Sequence, residues 1–138
     1  MITSVEDFRE RLIRLDPYAD EFVIHADELV EGLSPDIADS VYPAILEFFE
    51  AAPDADCGAP GTLVHHVEGY YPNYLAGLKE SVKRKPSYNG VLMINRILNG
   101  DLDAADRSDL MQILRDTAAN QDAPDEVIEM VEGFIERR

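Results

Sequence analysis

The chain has 138 residues, a formal charge of -16 and 46% hydrophobic residues, enough apolar material for one packed domain and too much for a disordered acidic tail. That charge opposes nucleic acid and anionic membrane as partners, and no apolar run is long enough to cross a bilayer. The N-terminus lacks a basic segment followed by an apolar block, so it does not read as a secretory signal, and the single cysteine, Cys57, agrees with a reducing cytoplasm.

Nearly every segment reads helical. Ser4 is placed to cap a first helix, with Asp7 three residues on and Val5, Phe8, Leu12 and Leu15 forming one apolar stripe. Asp16-Pro17 stops it and opens a second, on which Tyr18, Phe22, His25 and Leu29 recur at helical spacing as far as Gly32. Ser34-Pro35 starts a third through Ile37, Val41, Ile45, Phe48 and Phe49; Pro43 either kinks it or divides it into two short helices. Ala51 to Gly61, rich in Pro, Gly and Asp, is the clearest loop. A short buried helix from Thr62 to Glu68, a turn at Tyr70 to Asn73 and a helix through Tyr74, Leu75, Leu78 and Val82 follow. The apolar run from Gly90 to Leu98 would suit a buried strand by periodicity, but its neighbours are helical and it has no strand to pair with, so it reads as a core helix.

Asn99-Gly100 forms a C-cap in which glycine takes the left-handed conformation, and Asp106 caps a helix through Leu110, Ile113 and Leu114. Asp122 to Asp125 opens a last helix that buries Val127, Ile128, Val131 and Phe134 or Ile135, with Arg137 and Arg138 complementing its dipole. About eight short helices joined by short loops predict a single all-α domain over residues 1–138. The helices would form antiparallel hairpins in an irregular bundle or a small HEAT-like solenoid. No fixed-period repeat is visible.

Charge is segregated along the chain. From Asp16 to Glu68 there are thirteen carboxylates and no Lys or Arg, whereas Lys79, Lys83, Arg84, Lys85 and Arg96 are opposed locally only by Glu80. A field of this kind steers basic partners into encounter. General acidity for solubility or salt adaptation is the alternative, although such adaptation spreads charge over the whole surface. The basic stretch is expected to pair with the acidic half of the fold or with an acidic patch on a partner, not with nucleic acid.

No catalytic or cofactor constellation emerges. His65 and His66 point about 100° apart on a helix, so with Cys57 and Glu68 nearby they still make a poor metal site. Cys57 follows Asp56 in the most acidic part of the chain, which disfavours the thiolate. Gly58 to Gly61 lacks the Lys and Ser/Thr of a phosphate loop and reads as a tight turn that lets a helix approach closely. The segment from Asp101 to Asp109 lacks the Gly and terminal Glu of a calcium loop. The chain therefore reads as a binding protein and not an enzyme. Asp27, Glu28, Glu31, Asp54 and Asp56 are the candidates for steering a protein partner, and Tyr70, Tyr71 and Tyr88 the candidate aromatic anchors.

The stretch from Cys57 to Gly100 resembles small all-helical bacterial immunity-type proteins of polymorphic-toxin and contact-inhibition loci. The resemblance is carried by G-x-P-G-x-L-V-H (Gly58 to His65), R-K-P-S (Arg84 to Ser87) and M-I-N-R-I-L-N (Met93 to Asn99). It covers about a third of the chain and rests on structural features: a turn, a packed histidine and a buried helix. It implies a cytoplasmic protein that binds and neutralises a cognate toxin, expected here to be basic, and transfers no individual contact residue. A helical-repeat adaptor unrelated to toxins and a DNA-mimic inhibitor are the alternatives.

Overall fold

Eight α-helices make up the computed structural model, which describes residues 1–138: α1 (Val5–Ile13), α2 (Phe22–Glu31), α3 (Tyr42–Ala51), α4 (Gly61–Glu68), α5 (Leu75–Arg84), α6 (Tyr88–Leu98), α7 (Ala104–Ala118) and α8 (Asp125–Glu136). The chain is all-α. A single parallel bridge between Ile2 and Leu33 ties the N-terminus to the end of α2. None of the helices is long and apolar enough to cross a membrane.

Local chemistry accounts for half of the helix starts. The Ser4 hydroxyl accepts from the Asp7 amide at 3.1 Å, and the Ser87 hydroxyl from the Gly90 amide at 2.9 Å. The run from Gly90 to Leu98 lies in α6, with Val91, Met93, Ile94 and Leu98 buried. Pro43 sits in the first turn of α3, where a missing amide hydrogen costs nothing, and only a 3-10 turn (Ala38–Ser40) precedes it. The helix expected from Ser34 is therefore that turn followed by α3.

Several expectations are corrected. The second helix begins at Phe22 and not at Pro17, because the Asp16 carboxylate accepts from the Tyr18 amide and closes a turn. Asp103, not Asp106, caps α7: its carboxylate accepts from the Asp106 amide at 2.8 Å. Gly100 is not left-handed, and Asn99 caps α6 in right-handed geometry. Arg138 does not serve its own helix. It donates to the Asn95 carbonyl at 3.1 Å and to Asn99 Oδ1 at 2.9 Å, so with Arg107 on the Leu98 carbonyl it closes the C-terminus of α6.

The helices stack in two rows. α1, α3, α5 and α7 form a continuous row, each against the next; α2 lies on α4 and α6 on α8 in the second row, while α6 also reaches α3, α5 and α7. One apolar cluster of 31 buried residues, from Ile2 to Phe134, runs between them. Each step of the first row carries an ion pair: Arg9–Glu47 (3.0 Å), Arg84–Glu50 (2.8 Å) and Lys79–Asp109 (2.7 Å). In the second row Arg96–Glu68 (2.6 Å) joins α6 to α4. The basic stretch thus neutralises Glu50 and Glu68 of the acidic half, as expected, and also Asp109 beyond it.

Glu50 is the most enclosed carboxylate of these pairs. Burial pushes the Glu50 carboxyl up, but hydrogen bonds from Arg84 and from the buried Ser81 hydroxyl at 2.8 Å outweigh it and hold the group below its usual value. A lowered folded value contributes stability that is present above the ordinary Glu range, around 4.3, and is lost as pH falls through the folded value. Glu50→Ala strands the Ser81 hydroxyl and should cost about 1–3 kcal/mol in chemical denaturation at neutral pH. The difference from the parent chain should shrink in acid.

Candidate functional site

The packing of α2 on α4 carries no such pair. The ten carboxylates Asp16, Asp20, Glu21, Asp27, Glu28, Glu31, Asp36, Asp39, Asp54 and Asp56 have no cation within 4 Å; of the acidic run only Glu47, Glu50 and Glu68 are paired. Within the acidic run the unpaired charge lies on α2, on the segments at its two ends and on the α3–α4 loop with Asp54 and Asp56; a second unpaired set lies on α7, α8 and the loops before them.

α2 is also charged against its own dipole. It has no acidic residue in its first turn and no basic residue in its last, and Asp27, Glu28 and Glu31 crowd its C-terminal half. Each carboxylate there costs the helix a few tenths of a kcal/mol, up to about 1 kcal/mol. Helix stability does not explain these residues.

Packing leaves apolar side chains among the acids. Phe22 and Ala26 point into the core, Phe22 stacked on Phe48 of α3 with ring centroids 5.7 Å apart. The opposite side of the helix shows Ile24, 60% exposed, on the same side as Glu28 and Glu31 at spacings of four and seven. Val23 lies on the flank that meets the Asp54–Gly58 loop. Gly58, at φ +71°, comes so close to Val23 that a Cβ there would lie 2.7 Å from Val23 Cγ2. The expected close approach of this loop is thus made against α2. Tyr18, 63% exposed, donates to Asp54 across the same cleft of about 400 Å³, whose walls include Pro17, Phe22, Val23 and Cys57.

The acidic loop is held from behind. Asn89, buried at the start of α6, donates to the carbonyls of Ala55 (3.4 Å) and Asp56 (3.0 Å), and the Tyr88 amide donates to the Pro53 carbonyl at 2.7 Å. The Asp56 carboxylate accepts from the Gly58 amide, and Asp54 and Asp56 remain exposed. Burial, and then Asp56, push the Cys57 thiol up to about 12, so it is not a nucleophile near neutrality.

The predicted residues thus fall into two groups. Asp54 and Asp56 share a cleft with Tyr18 and Val23, whereas Asp27, Glu28 and Glu31 lie along α2 beyond it with Ile24, Glu28 lining a second groove beside Arg11; Tyr18, Val23 and Ile24 are apolar members that the sequence reading did not select. Their signal was available in part, since Val23 and Ile24 lie off the apolar stripe of α2. The tyrosines are not gathered there. Tyr70 and Tyr71, partly exposed, occupy the α4–α5 turn, Tyr70 against His66 and Tyr71 edge-on to the buried Tyr74. Tyr88 lines a separate groove beside α8. His65, expected to be packed, is exposed beside Glu68; His66 is the half-buried one, its ring 2.6 Å from the Ala38 carbonyl. No three His, Cys, Asp or Glu side chains converge as a metal would require.

Comparison with protein-family models, with curated proteins and with solved structures finds no match to this chain.

Proposed function

We propose that the protein is an immunity-type inhibitor which binds a cationic toxin domain in the bacterial cytoplasm and neutralises it by occlusion, without chemistry of its own. The observation that carries this reading is the unpaired acidity of α2, maintained against the helix dipole and set around exposed Ile24, Val23 and Tyr18. An apolar centre inside a charged rim is the anatomy of a protein interface, and the field outside it speeds encounter. The toxin enters through the resemblance of residues 57–100. The test is capture from lysate of the source bacterium with tagged protein, washed at low and high salt and read by mass spectrometry. A single stoichiometric partner with a toxic C-terminal domain, released by salt, is expected. Capture of housekeeping proteins, or of nothing, would overturn the reading. The row-wise stacking of the helices favours an adaptor of the helical-repeat kind as second reading, and a non-toxic partner held stoichiometrically would select it.

A further inference from the structure

The largest concavity lies away from α2. An open groove of about 940 Å³ follows α8 over roughly three turns, with Tyr88 and Ala118 on its far side. Met130 and Ile135, half-buried, supply apolar surface above the buried Phe134, and Glu126, Glu129, Glu132 and Glu136 supply four carboxylates, none paired with a cation within 4 Å. The one cation among the lining residues is Arg137, itself without a carboxylate partner within 4 Å.

Gly133 sits in this groove, in the interior of α8. Glycine there costs about 1 kcal/mol relative to alanine. Its backbone is not left-handed, and a Cβ would meet only the end of the Arg137 side chain, at 3.5 Å. Nothing inside the molecule requires glycine at this position. What its absent side chain provides is room for another backbone to come close from outside. The Arg137 side chain covers Gly133 in the free chain, and as the flexible end of an exposed residue it can swing aside for an occupant.

We propose that this groove docks a basic amphipathic helix of a protein partner, its apolar side chains over Met130, Ile135 and Tyr88 and its cations toward Glu126, Glu129 and Glu136. The length of the groove matches the i, i+3/i+4, i+7 anchors of a helix laid in a cleft. A second copy of the chain would bring a further charge of -16 to a surface that is already acidic, so the occupant is a cationic segment. This site stands independently of the α2 surface and of whether the partner is a toxin.

The probe is a fluorescein-labelled synthetic amphipathic helix of leucine and lysine, beside a scrambled peptide of the same composition. The amphipathic peptide should bind at least about tenfold more tightly than the scrambled one, the margin expected if several apolar anchors engage. Gly133→Ala should weaken it about tenfold while raising the melting temperature. That pairing separates a binding role from a structural one. Lysine at Asp27, Glu28 and Glu31 should leave peptide affinity within about twofold at physiological salt, where distant surface charges are screened. Equal binding of the two peptides, indifference to Gly133→Ala or loss of binding on the α2 reversals would each overturn the proposal. So would a dimer in sedimentation that Gly133→Ala dissolves, since that would give the groove to a second copy.

Discussion

Replacing Asp27, Glu28 and Glu31 together by lysine should slow association with the captured cationic partner by about 100-fold at low salt and flatten its salt dependence, with a smaller change in dissociation. Steering by a concentrated field is worth about 10- to 1000-fold in on-rate, and these three residues carry the unpaired charge of α2 itself. Each reversal adds two positive charges, so the total moves from -16 to -10. A control with lysine at the exposed Asp101, Asp116 and Asp122 makes the same change elsewhere. If both triple variants slow association equally, net charge and not the α2 surface is responsible; if neither slows it, that surface is not the interface. The same reversal should stabilise the free protein by roughly 0.5–1.5 kcal/mol, because it puts cations at the C-terminal end of α2. Stability rising while association falls cannot be mistaken for misfolding.

Phe22→Ala should have the largest effect on the fold, about 3–5 kcal/mol in urea denaturation. Phe22 is 3% exposed and its ring is stacked on Phe48, 6% exposed, so truncation removes an aromatic pair and leaves a void between α2 and α3. A domain of this size has about 5–15 kcal/mol in total, so the melting temperature should drop by roughly 10–15 °C. Phe22→Leu, which retains most of the apolar volume, should recover more than half of the loss. A cost below about 1 kcal/mol for Phe22→Ala would mean that α2 is seated by other contacts, such as the Ile2–Leu33 bridge.

The apolar positions of α1, α5 and α6 were legible because burial follows the 3.6-residue period, and the Ser4 cap because its partner is three residues away. Asp103 and Asp106 could not be ranked as caps from sequence, since both are three-residue partners in one acidic segment and only the helix start separates them. The acidic block was visible, but which of its carboxylates lack a cation was not. Glu47, Glu50 and Glu68 are matched by Arg9, Arg84 and Arg96, which lie 28 to 38 residues away in the chain. Such pairings depend on which helices stack, and this is a tertiary property. For the same reason Tyr70, Tyr71 and Tyr88 looked equivalent in sequence and belong to different surfaces.

The ion pairs that run from α1 to α7 have a consequence for how this chain can change. They bind the scaffold through residues that face one another across helices, while the polar side chains of α2 are engaged in none of them. On the proposed reading, recognition is thereby written on a helix whose outer residues can be rewritten without disturbing the load the rest of the molecule carries. Under that reading a lineage built on this plan would exchange one specificity for another by drift at Ile24, Asp27, Glu28 and Glu31, each intermediate still folding, as a lock is rekeyed without replacing its casing.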